Sequence, residues 1–365
     1  MRRSTNLPEH SRTGIRGSWR GLLRPASVAA AVFLAASACS DDSSSEQADE
    51  PMQVDEDAPT IVATTGIWAD VVSNVACGGL ANVEALIPVG GDPHGYEPSL
   101  QDRGRMEDAA LVVANGLALE ERLLDTLESV AEAGTPVFEV AEAVDTIPYS
   151  FGSGHDDHEG HDHDEHSDEE SHDEHDDHEG HDHHGHDHSG GDPHVWFDPH
   201  RVAEALPDLV RVLNTEAGID AAELQACADI YQAELEAVDA EIAASVAQLP
   251  AENRKLVTNH DALGYYADRY EVEVIGAVIP SPSSMAQTNP AQLEELAELI
   301  EHEGIQAIFA ETQHTSDDAE SLAARVGDIE VVTLYTGSLG PPGSGAETYL
   351  GFLRTNTELI VGALS

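Results

Sequence analysis

The chain has 365 residues, and its 70 acidic side chains outnumber its 16 basic ones, which gives a formal charge of −54. A protein that binds nucleic acid by neutralising phosphates needs a basic face, so this charge excludes that class of function. The length is sufficient for one large or two ordinary domains.

The amino terminus has the pattern of an export signal. Arg20 and Arg24 precede a run of small and apolar residues that ends at Ala38, and this run is too short to span a bilayer about 30 Å thick. We therefore interpret residues 1–38 as a secretory signal. The ending A-S-A-C resembles a bacterial lipoprotein signal, in which Cys39 becomes the lipidated first residue and anchors the protein to the outer face of the cytoplasmic membrane. The alternative is ordinary signal-peptidase cleavage near A-S-A.

The segment after the signal and the other cysteines concern the mature protein. Residues 39–59 consist mainly of Ser, Asp, Glu and Gln, a composition typical of a flexible tether. Two further cysteines follow, Cys77 and Cys227. In an exported protein an isolated pair favours a disulfide, and the alternative is two buried thiols.

From Thr60 onward, short runs typical of strands alternate with helical patterns. In the first part of the chain we predict strands at residues 60–64, 83–87, 111–114 and up to Val140. A helix follows the first strand, and another, at residues 119–131, follows the third. In the second part we predict strands at 255–259, 273–279, 307–310 and 330–335, followed by helices at 262–269, 290–302, 316–326 and 347–364. This alternation predicts an α/β fold with parallel sheets flanked by helices.

A helical stretch from residue 220 to 249 contains neither Gly nor Pro and would be about 45 Å long. Asp220, with Glu223 three residues later, indicates its start. Because the helix is longer than one small domain needs, we interpret it as a rigid rod that joins two lobes. The chain then divides into an N-terminal lobe (60–218), a linker helix (219–250) and a C-terminal lobe (251–365).

Three histidines share a context that indicates a metal site. His94 and His194 each follow Asp-Pro, while His94 and His260 each follow a predicted strand. The carboxyl ends of strands border the ligand crevice in open α/β sheets, and a preceding Pro restricts the direction of the imidazole. Three imidazoles nearly complete the tetrahedral shell of Zn²⁺. We expect Glu311, at the end of another predicted strand, or a water to supply a fourth ligand.

An insert at residues 152–191 precedes the second of these motifs. Within it, residues 155–188 hold 13 of the 20 His and 16 acidic residues, and the nonapeptide H-D-D-H-E-G-H-D-H occurs twice. A segment without apolar residues cannot form a core, so we expect it to be disordered without metal. Its imidazoles and carboxylates indicate a weak, multi-site collector of divalent cations. The alternative is a solvated spacer.

The segments D-P-H-G-Y-E-P-S, D-P-H-V-W-F-D and T-N-H-D-A-L-G-Y-Y-A-D-R-Y resemble the metal-site segments of the zinc and manganese solute-binding proteins of ABC importers, called cluster A-I. The resemblance extends from about Thr60 to the carboxyl terminus apart from the insert, whose composition resembles the zinc-specific branch. It implies two pseudo-symmetric lobes with the metal between them. In this arrangement His94 and His194 are ligands from the N-terminal lobe, and His260 is the third ligand.

One position departs from the pattern of the family. Its members usually have an acidic ligand in the loop after the last strand, where this chain has Gly337. A glycine side chain cannot coordinate a metal, so we expect three His with water or with Glu311. This set favours Zn²⁺ over Mn²⁺, because Mn²⁺ prefers carboxylate oxygens.

Together these observations predict an extracytoplasmic zinc-binding lipoprotein rather than an enzyme. It would capture Zn²⁺ as its transported ligand, with Mn²⁺ as the runner-up, and deliver it to a membrane ABC permease and its ATPase. We expect a monomer that binds no nucleic acid. The alternatives are an extracellular metal buffer or adhesin, in which the insert is the working part, and a zinc-dependent hydrolase, although the chain has no H-E-x-x-H motif.

Overall fold

The computed structural model describes residues 57–148, 191–327 and 329–365. The predicted signal, Cys39, nearly all of the tether and the His-rich insert up to residue 190 lie outside the described residues. Among the residues that are described, no helix combines the length and the apolar composition needed to cross a membrane.

The described strands form two parallel sheets of four strands each. The first sheet contains β1 (Thr60–Ala63), β2 (Asn82–Ala85), β3 (Leu111–Ala114) and β4 (Val137–Glu139), and the second contains β5 (Lys255–His260), β6 (Glu273–Ile279), β7 (Ala307–Glu311) and β8 (Glu330–Leu334). The orders are β2-β1-β3-β4 and β6-β5-β7-β8, so the two sheets repeat one topology. We call the first sheet with its helices the N-terminal half and the second the C-terminal half. The predicted α/β class is confirmed.

Helices cover both sheets. Those described are α1 (Gly66–Val75), α2 (Leu100–Glu107), α3 (Leu124–Ala133), α4 (Pro199–Thr215), α5 (Ala221–Val246), α6 (Gly264–Tyr270), α7 (Pro290–Glu303), α8 (Asp317–Val326) and α9 (Tyr349–Ala363). Helix α2 was not predicted, although Ser99 and Asp102 cap its start reciprocally. Helix α3 begins at Leu124, five residues after the predicted start at Leu119, because residues 119–123 form turns in which Glu120 accepts hydrogen bonds from Thr64 and Asn115.

The long helix α5 has 26 residues and is about 39 Å long. Its start is as predicted, since Asp220 Oδ1 accepts hydrogen bonds from the N–H groups of Ala222 (2.9 Å) and Glu223 (3.1 Å). The helix contacts α1 and α4 of the N-terminal half and α6 and α9 of the C-terminal half. It therefore provides packing surface to both halves.

The segment before α4 ties the two halves together. Trp196 is fully buried, and its Nε1 donates to the carbonyl oxygen of Thr336 at 2.9 Å. The hydroxyl of Tyr349 donates to the Trp196 carbonyl oxygen at 2.5 Å. Since Thr336 and Tyr349 belong to the C-terminal half, these bonds fix the segment that carries His194 against the opposite half.

Candidate metal centre

The two D-P-H segments fold into the same local turn. The N–H of His94 donates to Asp92 Oδ1 at 3.1 Å, and the N–H of His194 donates to Asp192 Oδ1 at 2.9 Å. An Asp that accepts from the backbone two residues later forms an Asx turn, and the intervening Pro fixes its own φ. In each segment the Asp-Pro-His motif therefore fixes the backbone of the histidine that it contains.

The third histidine is held by a strand end. His260 is the last residue of β5, and its N–H donates to Oε1 of Glu311, the last residue of β7, at 3.1 Å. Strands β5 and β7 are parallel neighbours, so their carboxyl ends meet at one edge of the sheet, as is typical of ligand sites in open α/β sheets.

The structure brings the three predicted histidines together. His94, His194 and His260 are 3%, 1% and 3% exposed, and one nitrogen from each lies within 4.8 Å of the others. The Nε2 atoms of His194 and His260 are 3.2 Å apart. Two nitrogens bound tetrahedrally to one Zn²⁺ would be separated by about 3.3 Å. This pair therefore already has the spacing that zinc requires.

Each of the three rings faces its own carboxylate through Nδ1. The partners are Glu121 Oε1 for His94 (3.2 Å), Asp192 Oδ1 for His194 (2.7 Å) and Glu311 Oε1 for His260, which forms a short hydrogen bond. A carboxylate at Nδ1 orients a metal-binding imidazole, raises its basicity and leaves Nε2 for the metal. In a metal complex His194 and His260 would be imidazole ligands oriented by hydrogen-bonded carboxylates, whereas the ring of His94 only faces Glu121 without a hydrogen bond to it.

Glu311 has a different position from the one we expected. Its Oε1 interacts with the ring and backbone of His260, and its Oε2 accepts a hydrogen bond from Thr336 Oγ1 at 2.8 Å. It is not in the group of converging ligand atoms, which among the described residues contains only the three histidines. The end of β7 lies on the Nδ1 side of His260, so the structure gives Glu311 the role of an orienting partner.

Burial and charge affect protonation differently in two of the histidine–carboxylate pairs, His194 with Asp192 and His260 with Glu311. Burial raises the pKa of Asp192 to about 7 and, together with the neighbouring histidines, holds the pKa of His194 well below its usual range. Burial opposes charge on His260 and Glu311 as well. Their mutual attraction is stronger, however, and it raises the pKa of His260 and lowers that of Glu311 to about 2. A metal that binds His260 must therefore displace a proton.

Gly337 lies where the two halves meet above the centre. A Cβ atom on Gly337 would be 2.7 Å from Pro93 Cδ and 3.0 Å from Pro93 Cγ. The ring of Pro93 therefore fills the space that a side chain at position 337 would need. Two hydrogen bonds also join the halves here, from Ser284 Oγ to Asp92 Oδ2 (2.8 Å) and from the Gly90 N–H to Ser338 Oγ (2.7 Å). A small cavity of about 10 Å³, room for about one ion or water molecule, lies between the halves at this point.

Comparison with known proteins places the chain in a family. The family model described as "Zinc-uptake complex component A periplasmic" matches residues 61–363. The chain belongs to this family. Its members are substrate-binding proteins of metal ABC importers, not enzymes, and they act with a membrane permease and an ATPase.

Individual relatives carry the names of two different metals. The zinc-binding protein TroA of Treponema pallidum is 28% identical over 316 residues, which cover 84% of this chain and 89% of TroA. The manganese-binding lipoprotein MntA of Halalkalibacterium halodurans is 26% identical over 306 residues, which cover 84% of this chain and 88% of MntA. The solved structure of TroA superimposes with a TM-score of 0.68 at 27% identity, covering 84% of this chain and 99% of TroA.

Four residues of the centre were not predicted from the sequence as participants. Asp192 and Trp196 flank His194 in its motif, and the ring of Trp196 lies 5.3 Å from that of His194. The Asx-turn pattern of Asp-Pro-His could have identified Asp192. Thr336 and Glu121 lie in loops whose sequences carry no comparable signal.

The predicted cysteine pair lies away from the centre. Cys77 follows α1 and Cys227 is on α5, and the structure joins them in a disulfide with Cα atoms 5.5 Å apart. This separation is typical of disulfides. The bond would attach the N-terminal half to the long helix, and its formation stays a prediction for chemical test.

Proposed function

We propose that this protein is a zinc receptor that captures Zn²⁺ between its two halves and delivers it to the permease of an ABC importer. The observation that carries the proposal is the convergence of three buried imidazoles, with all three carboxylates on the outer, Nδ1 sides of the rings. Imidazole nitrogens suit Zn²⁺, whereas Mn²⁺ prefers carboxylate oxygens. The ligand set therefore supports zinc where the names of the relatives are divided.

We further propose that Cys39 is lipidated and that the mature protein is a monomer anchored at the outer face of the cytoplasmic membrane. The sequence around Cys39 supports this, as do the relatives that are named lipoproteins. Labelling with a radioactive or alkyne-bearing fatty acid would test it. Wild-type protein should incorporate the label, and the Cys39→Ala variant should not.

The His-rich insert is proposed to collect zinc at several weak sites. Its 13 His and 16 acidic residues between positions 155 and 188 support this role. Deletion of residues 151–191 should remove the weak sites from a calorimetric titration and leave one tight site. Loss of the tight site on deletion would contradict the assignment of the three-histidine centre.

Equilibrium metal binding to the mature chain tests the proposed function directly. His94→Ala and His260→Ala should each abolish the tight zinc site and retain the weak ones. His302→Ala is a matched control, because the side chain of His302 is 81% exposed on α7. A tight site that survives both substitutions would favour a metal buffer based on the insert. A tight site that prefers Mn²⁺ to Zn²⁺ in competition would refute the zinc assignment.

A further inference from the structure

A second small cavity adjoins the metal centre beside His94. It has a volume of about 10 Å³, room for about one ion or water molecule, and His94 and Glu121 line it together with residues from both halves. The loop after β3 contributes Leu117 and Ala118, and the loop after β6 contributes Pro282 and Ser283. His94 also lines the cavity of the metal centre, so its ring is the wall that the two cavities share.

Glu121 differs from the other two orienting carboxylates in its accessibility. Its side chain is 23% exposed, whereas those of Asp192 and Glu311 are 2% and 3% exposed. Of the three carboxylates that face the histidine rings, it is therefore the one that a cation can approach from solvent while the other two remain covered.

The ring of His94 is also held less firmly than those of its two partners. Its Nδ1 lies 3.2 Å from Glu121 Oε1, but neither ring nitrogen makes a hydrogen bond within the described part of the chain. His194 and His260, in contrast, are hydrogen-bonded through Nδ1. The ring, which is only 3% exposed, is thus free of hydrogen bonds to the described part of the chain, while its Nδ1 faces Glu121.

The loop after β3 fixes the position of Glu121. Gly116, Leu117 and Ala118 have successive φ values of 86°, 52° and 55°. The following Glu120 points inward, where its Oε1 accepts from Thr64 Oγ1 and from the Asn115 N–H, both at 2.7 Å. Because Glu120 anchors the loop from the inside, the next side chain lines the second cavity.

We propose that Glu121 is an entry ligand, which binds the incoming divalent cation in the second cavity and transfers it to His94. This inference rests on the proposed function, since it concerns the route by which zinc reaches the three histidines. A cation held between Glu121 and His94 can exchange its waters one at a time. The ring of His94 can then turn without breaking a hydrogen bond to the described chain and bring the cation to His194 and His260.

An entry ligand has a distinctive kinetic signature. It stabilises a state through which the cation passes both on binding and on release. Its loss therefore slows association and dissociation together and leaves the equilibrium affinity nearly unchanged. A residue that only orients His94 would act differently, because its loss would speed dissociation and weaken binding. The two rate constants therefore separate the two roles.

Stopped-flow measurements on the full mature chain provide the test. Zinc association is followed by tryptophan fluorescence, since the ring of Trp196 lies 5.3 Å from that of His194, and dissociation is followed by adding excess chelator. Glu121→Gln should lower both rate constants about tenfold and change the dissociation constant by less than about threefold. Glu121→Asp, which keeps the carboxylate, should retain most of the association rate. Glu128→Gln on exposed α3 removes the same charge and should change neither constant.

Three outcomes would overturn the inference. They are faster dissociation with unchanged association in Glu121→Gln, no change in either rate constant, and an equal slowing in the Glu128→Gln control. Failure of the proposed function would look different. In that case wild-type protein would show no tight zinc site that depends on His94 in an equilibrium titration, whatever the substitution at position 121.

Discussion

Replacing Gly337 by alanine should weaken zinc binding, because the added Cβ would lie 2.7 Å from Pro93 Cδ. Two carbon atoms are in optimal contact at about 3.5–4.0 Å, so the loops would have to separate by about 1 Å. Pro93 directly precedes His94 in the Asx turn that sets the direction of its ring. The displacement would therefore be transmitted to a metal ligand.

The size of the effect follows from the cost of overpacking. Inserting a methyl group into a filled space costs about 1–3 kcal/mol. If this cost applies only when the two halves are closed on the metal, zinc affinity should fall by about 5- to 150-fold, since each 1.4 kcal/mol is a factor of ten. A chelator competition titration measures an effect of this size directly.

Two further variants attribute the effect of Gly337→Ala to the contact with Pro93. In a Pro93→Ala background, which removes the ring atoms, Gly337→Ala should cost little additional affinity, and the double-mutant cycle should show strong coupling. Gly362→Ala on α9 is the matched control, because a Cβ there would have no atom within 4 Å. It should leave zinc affinity unchanged.

The Gly337→Asp variant separates this reasoning from an expectation based on the family. Its carboxylate stands where the resemblance to the family implies an acidic ligand, so a fourth ligand would predict tighter binding and a shift towards Mn²⁺. The packing of Pro93 predicts the reverse, a loss of zinc affinity at least as large as that of Gly337→Ala. Tighter binding in Gly337→Asp would refute the steric argument.

Three other predictions concern residues around the centre and elsewhere in the fold. Asp192→Asn keeps an acceptor but lowers the basicity of His194, so zinc affinity in a chelator titration should fall about 10- to 100-fold. Burial raises the pKa of Glu120. The stability that the protonated carboxyl gives the folded state is fully present below the usual pKa of glutamate and is lost as the pH rises through the raised value. Urea unfolding should therefore show Glu120→Gln gaining stability relative to wild type between pH 4 and pH 8, and a constant difference would contradict this. Replacing Cys77 and Cys227 by Ser should cost about 2–4 kcal/mol in the same assay and leave zinc affinity unchanged. Zinc affinity should not change because Cys77 and Cys227 are not among the residues that line the metal centre.

The inner strands β1, β3, β5 and β7 were predictable because they are buried on both faces and appear in the sequence as apolar runs. The observed bounds of β3 (Leu111–Ala114) and β6 (Glu273–Ile279) are the predicted ones. Helix α2 was missed because only Met106 is buried along its polar sequence, so it has almost no apolar periodicity. The start of α3 was placed too early because apolar spacing does not reveal the turn that Glu120 fixes through its hydrogen bonds with Thr64 and Asn115.

At the metal centre, local motifs predicted the ligands but not their surroundings. The repeated Asp-Pro-His and the strand end at His260 are short-range features, and a sequence displays them directly. The role of Glu311 depends on which side of the His260 ring faces β7, a consequence of sheet packing. The contact between Gly337 and Pro93 joins residues that are far apart in the chain and arises only when the two halves meet.

The net charge and the metal centre contribute to metal recognition in different ways. A formal charge of −54 attracts every cation and distinguishes weakly between divalent metals. Selectivity must then arise where water is excluded, at three rings that are at most 3% exposed. In the proposed zinc complex Asp192 and Glu311 lie behind the imidazoles and strengthen them as donors without being ligands themselves. A metal that requires oxygen ligands would find these two carboxylates turned away from it, whereas Zn²⁺ would find nitrogens at nearly the spacing that it needs.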